Sequence, residues 1–226
     1  MFAILGASDG AGRFTVKLKL AETFQSIQGE GPLAGVPMHF IRFAGCTVAE
    51  CPLHPAREGV CDTDWSCKDV VDGEKSLDEL AKKAVENSGA SKWVSITGGE
   101  PCDQPKALAF LCASIRRMGG KINLQTSGTR EVDCEWDWLT VSPKCSAADL
   151  KQGYGNELKV VITGQLEEEL RAYYNTTRFW KYTIQPLWAG NGECNKSRVL
   201  DLVKTLNRGG QPWQLSLQTH KYIGVP

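Results

Sequence analysis

Apolar runs with strand character alternate with helical stripes along most of this chain, and that alternation restricts the fold more than any other feature. Trp93–Thr97, Lys121–Gln125, Trp138–Val141, Glu157–Ile162, Lys181–Ile184 and Trp213–Leu217 read as short strands. Between them Leu108, Leu111, Cys112 and Ile115, the segment Leu166–Tyr174, and Val199, Leu200, Val203 and Leu206 within Lys196–Asn207 follow helical spacing. Upstream, Phe14–Phe24 alternates apolar and polar residues like a strand with one wet face, and His39–Ala44 is a second strand-like run. Ser76-Leu-Asp-Glu79 has the form of a capping box ahead of Leu77, Leu80, Ala81, Ala84 and Val85, and Gly89 closes that helix. Connections are short, with no linker, repeat or low-complexity tract. The pattern predicts a parallel α/β sheet, wound open or curled toward a barrel, in a single domain over residues 1–226 whose residues 1–13 are a variable N-terminal segment.

Most of the strands end in polar and glycine residues: the loop after Ala44, Gly98-Gly99-Glu100, Gln125–Gly128, Ser142–Lys144 and Gln185. In parallel α/β architecture those ends converge on one side, so one active face at the strand C-terminal ends is expected. Charge is balanced at 26 basic and 26 acidic residues, which offers no footprint for nucleic acid. No apolar run is long enough to span a membrane, and Met1–Gly10 is too short and uncharged for a signal peptide. Nine cysteines, an odd count without an export signal, point to a reducing, cytoplasmic setting.

Four of those cysteines, Cys46, Cys51, Cys61 and Cys67, fall in one loop after the His39–Ala44 run, among Gly, Pro, Asp and Ser. Thiolates gathered in a loop at a strand end suit a soft metal centre, iron–sulfur or zinc. Three thiolates on a 4Fe–4S cluster leave one iron open to a ligand, whereas four close the site. Gly98-Gly99-Glu100-Pro101 offers backbone N–H groups and a carboxylate, suited to a ligand with an ammonium group. The turn Gln25–Pro32 holds Gln28 and Glu30 between glycines, where backbone approaches a ligand closely.

Taken together, Gln25-Ser-Ile-Gln-Gly-Glu-Gly-Pro32, Arg42–Cys46, Cys61-Asp-Thr63, Thr97–Pro101, Gln125–Gly128, Val141–Lys144, Gln185-Pro186 and Gln218-Thr-His-Lys221, with Pro226 last, make the chain resemble the 7-carboxy-7-deazaguanine synthase family of radical S-adenosylmethionine enzymes. These pieces cover nearly everything after residue 20. The resemblance implies a shortened, partly open (β/α) radical-SAM barrel. It implies conversion of 6-carboxy-5,6,7,8-tetrahydropterin to 7-carboxy-7-deazaguanine with loss of ammonia, in queuosine-type 7-deazapurine biosynthesis. A 4Fe–4S cluster, S-adenosyl-L-methionine and Mg²⁺ are the implied cofactors. A flavodoxin or ferredoxin as electron donor and a homodimer are the implied partners, with the pterin as small-molecule substrate.

Site residues carry over position by position. Ile27, Gln28, Gly29, Glu30, Arg42, Thr97, His220 and the terminal carboxylate of Pro226 match substrate-contacting positions. Val60, Gly99, Glu100, Ser127, Ser142, Pro143, Lys144, Gln185 and Pro186 match positions for S-adenosylmethionine. Cys46 matches the first cluster ligand through Arg42 and Gly45, Cys61 matches the third through Asp62-Thr63, and Thr63 matches the Mg²⁺ ligand. Cys51 is the thiol between them, with Cys67 and His54 as alternatives; the gaps of four and nine residues depart from the family's usual three and two. Two other classes stay open: a zinc-binding module using all four cysteines, and a radical enzyme that activates a partner protein.

Overall fold

The computed structural model describes residues 16–53, 61–189, 192–193 and 195–226. Strands β1 (Lys17–Ile27) and β2 (Pro37–Phe43) open the chain, followed by β3 (Asp69–Asp72), helix α1 (Glu74–Asn87) and β4 (Trp93–Gly98). Then come α2 (Pro105–Arg117), β5 (Lys121–Thr126), β6 (Trp138–Val141), β7 (Tyr154–Ile162), α3 (Glu167–Thr176) and β8 (Arg178–Pro186). A two-stranded hairpin, β9 (Trp188–Ala189) and β10 (Gly192–Glu193), precedes α4 (Lys196–Arg208), β11 (Trp213–Leu215) and α5 (Thr219–Ile223). Nine strands form one open sheet in the order β11-β8-β7-β6-β5-β4-β2-β1-β3. From β2 to β11 every neighbour is parallel, while β1 is antiparallel to both β2 and β3.

Period-two alternation along the strands explains the layers. Ile41 and Phe43, Val94 and Ile96, Ile122 and Leu124, Leu158 and Val160 join the apolar stripes of α1 to α4 in one core. The alternate positions are polar yet buried: Ser95, Asn123, Thr140, Glu157, Lys159, Thr183 and Gln185. A parallel sheet packed on both faces reads as continuous apolar strands; here the second face is a polar floor. The turn after β1 reaches this floor at β7, where Glu30 pairs with Lys159, although β2, β4, β5 and β6 separate the two strands in the sheet. The sheet is therefore open at its edges but curled over its polar face.

Two local readings change. The helix begins at Glu74, so Ser76 lies in its first turn instead of capping it. The cause is β3, whose pairing of Lys17 with Asp72 brings the chain to Gly73 already turning. The last strand stops at Leu215 instead of Leu217, and Thr219–Ile223 is a short helix. Residues 1–13 lie outside the described residues. Among those described, no helix is long and apolar enough to cross a membrane.

Candidate active site

The C-terminal ends of the parallel strands surround a cavity of about 290 Å³. Phe24 and Phe40 stack on one wall with ring centroids 5.0 Å apart, and the Arg42 guanidinium sits over Phe24 at 5.6 Å. Arg42 Nε donates to Glu22 at 2.7 Å, and among the described residues the rest of its fork has no hydrogen-bond partner and can meet an anion.

Cys46, Cys51 and Cys61 are free thiols that line this cavity together with Thr63. Cys67 is exposed, outside the lining, and its thiol donates to the Asp69 carbonyl at 3.3 Å. Among the described residues no three His, Cys, Asp or Glu groups converge on a single ion-sized point. The loop is held from below: Asp103 accepts the Thr47 N–H at 2.8 Å and its hydroxyl at 2.7 Å, and Arg130 bonds Asp103 at 3.1 Å. Burial pushes the Cys46 thiol above its usual range, an effect that the neighbouring Glu100 and Asp103 carboxylates reinforce.

Gly99 packs against this loop so closely that a Cβ there would overlap the Gly45 carbonyl and Cys46. The next residue, Glu100, is fully buried behind the cavity wall. Its carboxylate accepts the Cys102 N–H at 3.0 Å, the Thr126 hydroxyl at 2.7 Å, and the Ser127 N–H and hydroxyl at 2.8 and 2.5 Å. Glu100 thus ties the end of β4 to the end of β5 and presents Gly99 and Ser127 to the cavity.

Across the cavity the Gln28-Gly29-Glu30 turn supplies its polar groups. Gln28 is buried, accepts the Glu30 N–H at 3.1 Å and donates to Asn123 at 3.4 Å. Glu30 pairs with Lys159 and accepts Gln185 Nε2 at 3.0 Å. Burial alone would raise the Glu30 pKa, but Lys159, Gln185 and His220 hold it down to about 2. Burial disfavours the Lys159 cation, yet Glu30 and Glu157 keep its pKa above the usual lysine range.

Helix α5 closes the cavity mouth. The Thr219 N–H and hydroxyl both donate to the Gly29 carbonyl at 2.8 Å, and Lys221 pairs with Asp62 beside Cys61. The His220 imidazole lies where a Cβ on Gly29 would be, which only glycine permits. Its Nδ1 is buried without a hydrogen-bond partner among the described residues, and burial lowers its pKa. The Ser26 hydroxyl donates to a Pro226 oxygen at 2.5 Å, and Pro226 lines the same mouth.

Ile27, Gln28, Gly29, Glu30, Arg42, Thr97, Gly99, Ser127, Ser142, Lys144, Gln185, His220 and Pro226 therefore meet in one cavity with the three thiols and Thr63. Pro143 and Pro186 are buried behind its wall, like Glu100; Val60 and His54 lie outside the described residues. Lys159, Phe24, Phe40 and Trp188 also line it and escaped the sequence reading; Lys221, from the Gln218–Lys221 motif, lines it too. Lys159 left a signal: a charge at an inward position of the otherwise apolar run Leu158–Ile162.

Fold and site together define an α/β enzyme scaffold with a thiol-lined cavity at the ends of its parallel strands. No family model matches the chain. It is 34% identical over 218 residues to the 7-carboxy-7-deazaguanine synthase of Synechocystis sp., covering 93% of this chain and 95% of that one. It is 36% identical over 216 residues to the enzyme of the same name from Burkholderia multivorans, covering 91% and 97%. The crystal structure of QueE from Escherichia coli matches with a TM-score of 0.63 at 26% identity, over 92% of this chain and 96% of that one. The chain belongs to the 7-carboxy-7-deazaguanine synthase family.

Proposed function

We propose that this protein converts 6-carboxy-5,6,7,8-tetrahydropterin to 7-carboxy-7-deazaguanine with loss of ammonia, as a radical S-adenosylmethionine lyase of queuosine-type biosynthesis. The observation that carries the reading is one cavity shared by three free thiols of a single loop and the Gln28-Gly29-Glu30 turn. The donor set fits the implied cofactors. Three thiols without a fourth beside them suit a 4Fe–4S cluster with one open iron, and Gly99, Ser127, Ser142, Lys144 and Gln185 offer a polar bed for S-adenosylmethionine on the adjoining wall. The exposed position of Cys67, outside the cavity lining, speaks against a four-cysteine zinc module. When bound, cluster and S-adenosylmethionine supply the one-electron chemistry that a protein side chain cannot.

The chain's own residues bind, orient and shield. Gln28 and Glu30 face the pterin's N–H groups, Arg42 takes its carboxylate, and Phe24 and Phe40 offer a flat apolar wall. His220 Nδ1, unpaired among the described residues and with its pKa lowered by burial, is placed to hold a proton or accept one from the substrate. Thr63, on the cavity wall beside Cys61, would supply a hydroxyl to hold Mg²⁺. Reduction by a flavodoxin- or ferredoxin-type donor and assembly as a homodimer belong to the same proposal. The test is anaerobic reconstitution with iron and sulfide, then addition of reductant, S-adenosylmethionine and the carboxypterin, with products identified by mass. Iron loading should require Cys46, Cys51 and Cys61 and survive Cys67→Ala. A loaded protein that forms no deazaguanine overturns the assignment.

A further inference from the structure

Lys159 has no part in the function described above, yet its side chain is only 6% exposed on the cavity floor. A buried cation is costly unless paired and hydrogen-bonded, and this one is built in from both sides. Ahead of it Lys159 Nζ bonds Glu30 Oε2. Behind it lies Glu157, which the Thr140 and Thr183 hydroxyls hold at 3.0 and 2.7 Å.

The other Glu30 oxygen is clamped too. Gln185 Nε2 donates to it at 3.0 Å, Ser216 fixes Gln185 Oε1 at 3.0 Å, and the Gly31 N–H fixes Ser216 at 3.0 Å. Each carboxylate oxygen then keeps a second acceptor lone pair, on a side chain that lines the cavity. We propose that Lys159 is a positioning residue for the substrate: with Gln185 it holds the Glu30 carboxylate ionised and oriented, so that the free lone pairs accept the paired amino and ring N–H donors of a 2-amino-4-oxopyrimidine edge. This rests on the pterin reading of the cavity. Two parallel N–H donors on a carboxylate are the geometry that a planar, bidentate partner requires. Glu30 acts here as a fixed anion, not as a proton carrier.

The charged and titratable groups around the Glu30–Lys159 pair are Glu157 from β7, His220 from α5, Asp62 from the cysteine loop and Lys144 from beyond β6. All are common to parent and variants, so a difference between their pH profiles isolates the pair. Equilibrium binding of the carboxypterin, followed by fluorescence across the neutral and alkaline range, tests the proposal in the parent, Lys159→Met, Glu30→Gln and the double variant. Without Lys159 the buried Glu30 carboxyl takes up a proton, so Lys159→Met should bind about ten- to a hundredfold more weakly at neutral pH and recover as pH rises. The double variant should bind no worse than Glu30→Gln alone, because Lys159 acts only through Glu30. Parent-like affinity in Lys159→Met, a loss with no recovery at higher pH, or additive losses in the double variant overturns it. Should Lys159→Met fail to fold by circular dichroism, the double variant, which leaves no unpaired carboxylate at position 30, decides: binding weaker than Glu30→Gln overturns the proposal. A parent that binds no carboxypterin sinks the pterin reading and this inference together, whereas a binding parent with an indifferent Lys159 sinks the inference alone.

Discussion

Glu100 works through what it holds in place. Its carboxylate takes four hydrogen bonds from Cys102, Thr126 and Ser127, and its own N–H bonds the Gly45 carbonyl at 3.0 Å. Removing it leaves buried donors unpaired and loosens Gly99 from Cys46. Glu100→Ala should lower unfolding stability by about 3 kcal/mol. The urea midpoint reads this directly, and a variant within experimental error of the parent would show that water replaces the carboxylate. The same residue shows why a motif is not yet a contact: the Gly-Gly-Glu-Pro spelling suggests a ligand-facing acid, while the side chain faces its own loops.

Helix α5 has five residues, none of them buried. Helices that short do not stand alone, because nucleation costs more than one turn returns. Tertiary anchors hold it instead: Thr219 on Gly29, Lys221 on Asp62 and Ser26 on Pro226. The absent Cβ of Gly29 is the space that the His220 imidazole fills. Gly29→Ala should therefore dislodge α5, costing about 1–3 kcal/mol as other overpacked sites do, together with a marked fall in affinity for the carboxypterin. In a His220→Ala background the imidazole is gone and the added methyl should cost much less stability. A double-mutant cycle measures that coupling, and a zero interaction term would mean that α5 does not depend on this contact.

Across the whole molecule, the Glu30–Lys159 pair joins parts of the sheet that four strands separate. Its stability contribution depends on pH with a definite sign. Glu30 has its pKa lowered from 4.5 to about 2 in the fold, so its contribution is present above the unfolded value and fades as pH falls through that window. Lys159, shifted upward, contributes fully below its unfolded value and loses that only in strong alkali. Asp62, lowered through Lys221, adds to the acid-side loss. The stability gap between the parent and Glu30→Gln should shrink by on the order of 3 kcal/mol as pH falls through that window. Urea unfolding at a series of pH values checks it; a gap that stays constant would mean that Glu30 is not ionised by its partner.

Period and punctuation were enough to predict the parallel sheet, its helices and the face on which the cavity opens, because residue spacing alone decides which side chains share a surface. Leu158 and Val160 against Glu157 and Lys159 already spell out an apolar face and a polar one. The order of the motifs also pointed to the family and to the cysteine loop. Only the tertiary structure could reveal that Lys159 meets Glu30, 129 positions away, since that contact depends on how far the sheet curls. Strand β3 and helix α5 were hidden for a related reason: segments of four and five residues carry too little periodicity to read. Pairing with β1 and docking on Gly29 hold them, and both are made by residues far away in the chain.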